Sequence, residues 1–180
     1  FTLIKFSKPP ANTFCIDFLS ILIEKLNKIE KTKALVLTGE GTIFSAGLDL
    51  FYIEKLSKND FIDLISLFEK FIYKIIKFPL PTYAILNGHA IAGGFILASS
   101  TDTCISNNID YKIGLNENLL NFSLPAIPSA ILKLKYKKDI NDFYYTKPIS
   151  SFIKINKYIK INNQPLEFIK NQFNNFDQVF

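Results

Sequence analysis

The chain has 180 residues, 48% of them hydrophobic, a size and composition that favour one globular domain and exclude an intrinsically disordered chain. Its formal net charge of +5 comes from 21 basic residues, all of them Lys. The chain has no Arg, whose guanidinium group recognises phosphate and guanine bidentately, so a nucleic-acid partner is not expected. An anionic small ligand fits the positive charge at least as well. The Lys content is equally consistent with no function.

The N-terminal part of the sequence alternates between strand and helix patterns. Residues 2–6 alternate polar and apolar side chains, which predicts a short strand. Residues 17–30 carry apolar side chains at helical spacing, with Asp17 placed as a cap or a first-turn acid. The apolar run 34–37 predicts a strand buried on both faces.

A second amphipathic helix is predicted from Asp60 up to Pro79, with Asn59 as its N-cap. It is followed by a predicted strand at residues 82–86 and by a helix that begins near Gly93. This helix starts a few residues after an Asn-Gly turn, which is a strong turn signal.

Two more short strands are predicted at residues 103–106 and 111–114. Strands that alternate with helices over some 120 residues indicate an α/β fold with parallel pairing. Beyond residue 131 the sequence is rich in Lys, Asn and Tyr, and two or three short helices are expected there.

The two Cys and the single His are too few for a disulfide framework or a zinc cluster. Residues 78–101 carry no formal charge, but their Pro and Gly content disfavours one continuous lipid-facing helix, so no membrane span is expected. The chain begins at Phe1 and contains no Met, which indicates a processed or truncated product, or a sequence from which residues are missing.

Two glycine-containing segments, residues 43–50 (IFSAGLDL) and 87–95 (NGHAIAGGF), are candidates for a binding site. Each puts Gly after a predicted buried strand and before a predicted helix. Two helix N-termini that face one point would offer unpaired N–H groups to an anion or oxyanion. Taken singly, either segment is explained as well by a tight strand-to-helix turn, and neither matches the phosphate loop or the dinucleotide fingerprint.

Together with residues 113–118 (IGLNEN), these two segments resemble the motifs of the crotonase (enoyl-CoA hydratase/isomerase) family. The resemblance extends over residues 2–128. Residues 8–12 (KPPAN) and 113–117 are most similar to the mitochondrial Δ3,Δ2-enoyl-CoA isomerases of that family. The resemblance to the crotonase family implies an α/β fold: a crotonase-like spiral of ββα units over residues 1–130, and a short helical C-terminal region over residues 131–180.

The resemblance also implies an acyl-CoA substrate whose thioester oxygen accepts hydrogen bonds from the backbone N–H groups of Leu48 and Gly93. It implies no separate cofactor, since coenzyme A is part of the substrate, and no metal. A homotrimer and a location in the mitochondrial matrix are further expectations, with the peroxisome or the cytoplasm as alternatives. The residues expected along the coenzyme A and acyl path are Ser45, Ala46, Gly47, Leu48, Gly93, Gly94 and Leu115.

The identity of the acid or base follows from two positions of the family pattern. Hydratases of the family use two Glu; here the first position, two residues after the Gly-Gly pair, is Ile96, and the second is Glu117. A single carboxylate suits an isomerase, in which Glu117 moves a proton from C2 to C4 of a 3-enoyl-CoA for β-oxidation. The alternatives are another crotonase-type reaction, such as hydrolysis or hydration, and a catalytically silent acyl-CoA-binding homologue.

Other polar residues are expected to have structural roles. Asp49 is expected to cap or brace the following helix, and His89 to occupy a turn or a hydrogen-bonded core position. Cys15 and Cys104 have no basic neighbour in sequence that would lower a thiol pKa, so neither is expected to be a nucleophile. Four Lys are expected to form a solvated face, with contact to the coenzyme A phosphates as the alternative; they are Lys133, Lys135, Lys137 and Lys138.

Overall fold

The structure is a computed structural model, and it describes residues 1–115, 123–139, 149–151 and 158–174. Strands and helices alternate along the chain, as the sequence predicts. In chain order the elements are β1 (Thr2–Phe6), α1 (Ile16–Asn27), β2 (Leu35–Gly39), β3 (Ile43–Ser45), α2 (Leu50–Ile53), α3 (Lys58–Ile76), β4 (Thr82–Leu86), β5 (His89–Ile91), α4 (Gly93–Ser99), β6 (Thr103–Ser106), β7 (Lys112–Gly114), α5 (Ala126–Tyr136), β8 (Ile149–Ser151), β9 (Ile159–Ile161) and α6 (Pro165–Asn174).

The strands form two sheets. Strands β1, β2, β4, β6 and β9 pair in this order and are all parallel, whereas β3, β5 and β7 pair in parallel and β8 joins β7 antiparallel. The successive pairs β2–β3, β4–β5 and β6–β7 each contribute one strand to either sheet before the chain returns through a helix. This succession is the expected spiral of ββα units, and the α/β fold class is confirmed.

The larger sheet is covered on both faces, which explains why its inner strands β2 and β4 are largely apolar and buried. Every residue of β4 is buried, as expected for a central parallel strand. On one face the main core contains side chains of α1 and α3, among them Leu19 and Leu64. On the other face Ile169 of α6 packs near Val36 and Ile85.

The bounds of β1, β4 and β6 agree with the sequence prediction, but the cap of α3 does not. The side chain of Ser57, not that of Asn59, accepts the hydrogen bond from the Asp60 backbone N–H, at 3.2 Å. The helix therefore begins at Lys58, which puts Asn59 inside its first turn. Asp17 is a first-turn acid of α1, whose N-cap is Cys15.

Four short strands were not predicted. Strands β3 and β5 have three residues each, too few for a periodic pattern, and they form because they pair with each other. Residues 131–180, expected to be helical, also contain β8 and β9, and β9 extends the main sheet beside β6. The boundary expected at residue 130 falls within α5. None of the helices that the structure describes is long and apolar enough to span a membrane.

Candidate active site

A cavity of about 790 Å³ lies where the two glycine-containing segments meet. Its walls come from the loop before α2, from α2 and α3, from the β5–α4 turn and from the residues that precede α5. Most of the lining is apolar, and an apolar cavity with a few polar groups is the usual form of a small-molecule site. Six of the lining residues are Leu48, Phe61, Ile65, Phe68, Gly93 and Ile96.

The two segments contact each other through glycine. Gly47 has a φ of +86°, and a β-carbon built on it would lie 2.5 Å from the backbone nitrogen of Gly93. A β-carbon built on Gly93 would lie 3.1 Å from Cα of Gly47 and 3.5 Å from the backbone nitrogen of Leu48. Glycine at position 47 is therefore required both by the left-handed backbone and by the close approach of the second segment.

The backbone N–H groups of Leu48 and Gly93 have no acceptor among the residues that the structure describes. The residues on either side of Leu48 bond to Phe14: the Phe14 N–H donates to the Gly47 carbonyl at 2.8 Å, and the Asp49 N–H donates to the Phe14 carbonyl at 3.0 Å. Since successive amides of extended backbone point to opposite sides, the Leu48 N–H points away from Phe14. Gly93 is the first residue of α4, where an N–H lacks an intrahelical acceptor.

The two glycine-containing segments thus bring to the wall of one cavity two N–H groups that have no acceptor among the described residues. Such donors can stabilise negative charge that develops on a substrate oxygen, and in a site that excludes water they act more strongly than in solution. The turn that carries Gly93 is strained, because Ala92 adopts a φ of 52° and a ψ of −124°. Unfavourable backbone geometry of this kind occurs often at functional sites.

Ile96, the residue at the first of the two Glu positions, is part of the cavity wall. Ile96 lies on α4, is 2% exposed and lines the cavity. Glu117 lies outside the described residues. Leu115, two residues before it, is fully buried, and Ser123, on the far side of the undescribed stretch, lines the cavity.

Comparisons with known proteins identify the family of this chain. The family model described as enoyl-CoA hydratase/isomerase matches residues 1–140. The chain belongs to the enoyl-CoA hydratase/isomerase family. It is 32% identical to the mitochondrial enoyl-CoA delta isomerase 1 of Rattus norvegicus over 67% of this chain and 44% of that protein. It is 31% identical to the same enzyme of Homo sapiens over 67% of this chain and 42% of that protein.

Solved structures that share the fold include two enoyl-CoA hydratases. The enoyl-CoA hydratase of Thermoplasma volcanium superposes with a TM-score of 0.83 at 22% identity, over 95% of this chain and 72% of that one. The enoyl-CoA hydratase of Bacillus anthracis gives 0.82 at 22% identity, over 95% of this chain and 70% of that one. At this identity the likeness shows the fold alone. The chain spans less than half the length of the two curated isomerases.

Seven residues are expected along the coenzyme A and acyl path, and only some of them line the cavity. Ala46, Leu48 and Gly93 do so. The other four are not among the described lining residues; they are Ser45, Gly47, Gly94 and Leu115. Ser45 is fully buried, and its hydroxyl donates to the Asn12 carbonyl at 2.8 Å and accepts from the Gly47 N–H at 3.1 Å, so it shapes the loop.

Asp49 caps and braces the loop, as the sequence predicts. One carboxylate oxygen accepts from the Tyr52 N–H at 3.1 Å, at the start of α2. The other accepts from the Lys8 ammonium at 2.7 Å and from the Thr13 hydroxyl at 2.9 Å. The hydrogen bond from Lys8 is the main cause that holds the pKa of Asp49 below its usual value. Asp49 is therefore a charged brace on the cavity wall rather than a proton carrier.

We expect Asp49→Asn to lower the free energy of unfolding by about 1 kcal/mol at neutral pH, because it removes the ion pair with Lys8. The lowered pKa fixes the sign of the pH dependence: the stabilisation is complete above the pKa of the unfolded carboxyl, near 4, and is lost as the pH falls through the folded value. Urea unfolding of both proteins at pH 7, 5 and 3 measures this. A difference that persists unchanged at pH 3 would contradict it. Glu24→Gln is the control, since the Glu24–Lys28 pair is exposed.

The single histidine and the two cysteines have structural roles. His89 Nδ1 accepts a hydrogen bond from the Lys112 backbone N–H at 2.9 Å, and the imidazole meets the Tyr111 ring edge-on. Both Cys15 and Cys104 are buried, and burial raises the pKa of Cys104 to about 12. In the part of the chain that the structure describes, no three metal-ligating side chains come together.

The prediction that four Lys form a solvated face is wrong for Lys135. The Lys135 ammonium donates to the backbone carbonyls of Ser99, at 2.9 Å, and Thr101, at 2.8 Å, at the C-terminal end of α4. Burial lowers the pKa of Lys135. Lys133 and Lys137 are exposed, as expected, and the Lys138 side chain lies outside what the structure describes.

The sequence predicts Phe61 and Phe68 only as part of the apolar stripe of the amphipathic helix α3, and it gives Phe14 no predicted role. The first two line the cavity. The helical spacing that identified the stripe was a usable signal for a shared face, but it could not show which end of that face borders a cavity. No local sequence pattern indicates the role of Phe14, because its hydrogen bonds to Gly47 and Asp49 and its ring contact with Phe68 join residues that are distant in sequence.

Proposed function

We propose that this protein is a Δ3,Δ2-enoyl-CoA isomerase, which moves the double bond of a 3-enoyl-CoA to the trans-2 position in fatty-acid β-oxidation. The observation that carries the proposal is one cavity lined by Leu48, Gly93 and the apolar side chain of Ile96. The N–H groups of Leu48 and Gly93 have no acceptor among the described residues. An isoleucine cannot act as the second acid or base that adding water across the double bond requires. The apolar side chain of Ile96 therefore favours isomerisation over hydration.

The reaction needs one carboxylate. Glu117 takes the C2 proton of the 3-enoyl-CoA, and the electron pair moves toward the thioester oxygen to give a dienolate. The Leu48 and Gly93 N–H groups donate hydrogen bonds to that oxygen and stabilise its charge, an effect worth roughly 3–4 kcal/mol for a single donor. The protonated Glu117 returns the proton at C4, which leaves the double bond between C2 and C3.

The relatives support the substrate class, and they leave the reaction open between isomerase and hydratase. Those named above as isomerases are about 30% identical, and a probable enoyl-CoA hydratase of Bacillus subtilis is 32% identical over 61% of this chain and 43% of that protein. The choice of isomerase therefore depends on position 96. A water-adding activity remains the second candidate because relatives named as enoyl-CoA hydratases match this chain at a similar identity.

Glu117→Gln tests the assignment, with isomerisation of trans-3-hexenoyl-CoA followed by the absorbance of the conjugated product. We expect kcat to fall by about 10²–10⁴-fold, the usual contribution of a general acid–base group, while hexanoyl-CoA binding is retained. An equally active Gln variant would remove Glu117 from the mechanism. Full hydration of crotonyl-CoA would show a hydratase instead, and release of free thiol would show a hydrolase. Binding without turnover would show a catalytically silent homologue. Glu54→Gln, on the exposed end of α2, is the matched control.

Assembly and compartment belong to the same proposal. Relatives include a mitochondrial isomerase of Rattus norvegicus and a peroxisomal one of Arabidopsis thaliana. We propose a homotrimer in the mitochondrial matrix. Sedimentation equilibrium of the purified chain tests the oligomeric state, and organelle fractionation tests the compartment.

A further inference from the structure

We infer that Phe68 and Phe14 are positioning residues whose packed rings set the separation of the Leu48 and Gly93 amides. The inference rests on the proposed function, which uses both amides as donors to one oxygen, and it assigns a specific task to two apolar side chains of the core.

Phe68 supports the Gly93 amide. A β-carbon built on Gly93 would lie 3.2 Å from Cζ of Phe68, so the tip of the ring rests against the backbone of this residue. The preceding residue, Ala92, holds a backbone conformation that persists only where its surroundings fix it. The Phe68 ring is 1% exposed and lies on α3, a 19-residue helix, which makes it a rigid support.

Phe14 supports the Leu48 amide through its main chain. Its N–H and carbonyl bond to Gly47 and Asp49, the residues on either side of Leu48, at 2.8 Å and 3.0 Å. The Gly47 carbonyl belongs to the same peptide as the Leu48 N–H, so the first bond fixes the direction of that N–H, and the second bond holds the next peptide. The side chain of Phe14 is fully buried, so its backbone cannot shift without moving the ring.

The two rings contact each other. Their centroids are 5.7 Å apart with an interplanar angle of 35°. A continuous chain of contacts thus runs from the Gly93 backbone through Phe68 and Phe14 to the Leu48 amide. Close-packed interiors transmit displacements, and a misplacement of about 1 Å at a reacting centre is enough to reduce a rate up to 10²-fold.

Phe68→Leu tests the inference against Phe71→Leu. Phe71 is on the same helix, is also 1% exposed, and contacts the same Phe14 ring at 6.1 Å, but it neither lies among the atoms nearest to Gly93 nor lines the cavity. Both variants are compared for melting temperature, for kcat and KM with trans-3-hexenoyl-CoA, and for the backbone amide resonances of Leu48 and Gly93. The infrared carbonyl stretch of bound hexanoyl-CoA labelled with ¹³C at the thioester carbon is recorded as well.

We expect similar losses in melting temperature for the two variants. Only Phe68→Leu should shift the amide resonances of both Leu48 and Gly93 and bring the carbonyl stretch closer to its value in free hexanoyl-CoA. The same variant should lower kcat by on the order of 10-fold with little change in KM. Equal effects of the two variants, or unmoved amides in Phe68→Leu, would overturn the positioning role. A wild-type protein that binds hexanoyl-CoA with a shifted carbonyl but does not isomerise refutes only the proposed function. The absence of a carbonyl shift in the wild type refutes both.

Discussion

Gly94→Ala is expected to lower the free energy of unfolding by roughly 3 kcal/mol or more and to abolish activity with it. A β-carbon at this position would lie 2.1 Å from the backbone oxygen of Ser45 and 2.7 Å from its carbonyl carbon. Neither atom belongs to a flexible side chain, so α4 has to move away from β3. Urea unfolding of the purified variant, together with hexanoyl-CoA binding, measures both consequences.

Gly41→Ala is the matched control for this substitution. Gly41 has a φ of +78°, but no heavy atom lies within 4 Å of a β-carbon built on it. Its replacement costs only the left-handed backbone conformation, about 1–2 kcal/mol, and should leave binding unchanged. If Gly94→Ala loses no more stability than Gly41→Ala, the close approach to Ser45 is not what requires glycine at position 94.

The contrast between these glycines shows how far the sequence predicts the site. The motif with its Gly-Gly pair indicated a helix that begins near Gly93, and α4 begins there. Family resemblance assigned both Gly93 and Gly94 to the substrate path, but the second is buried against Ser45 and works in packing. A local pattern gives the backbone conformation of a turn, whereas the surface that each residue faces depends on strands distant in sequence.

The parts of the fold that could not be predicted share this dependence on distant partners. Strand β9 pairs with β6 across more than 50 residues, and β3 pairs with β5 although each has only three residues. Phe14 likewise contacts the site through Gly47 and Phe68. Long amphipathic elements such as α3 were predicted because their own periodicity contains the information.

Leu48→Pro is expected to lower kcat by about 10²–10³-fold, the cost of removing one donor to a developing oxyanion. Proline has no N–H, and the N–H it would replace here donates to none of the residues that the structure describes, so no hydrogen bond of the Phe14–Leu48 bridge is lost. Gly47, the preceding residue, tolerates the restriction that proline imposes on its neighbour better than any other residue type.

Leu48→Ala separates the amide from the side chain, because it removes the same apolar contacts in the cavity but keeps the N–H group. Both variants are measured for kcat and KM with trans-3-hexenoyl-CoA and for thermal unfolding by circular dichroism. A donor that acts mainly in the transition state lowers kcat without raising KM, so proline should depress kcat far below the value for alanine at similar stability. Equal kcat values for the two variants would assign the role of position 48 to its side chain and leave Gly93 as the remaining donor at the cavity wall.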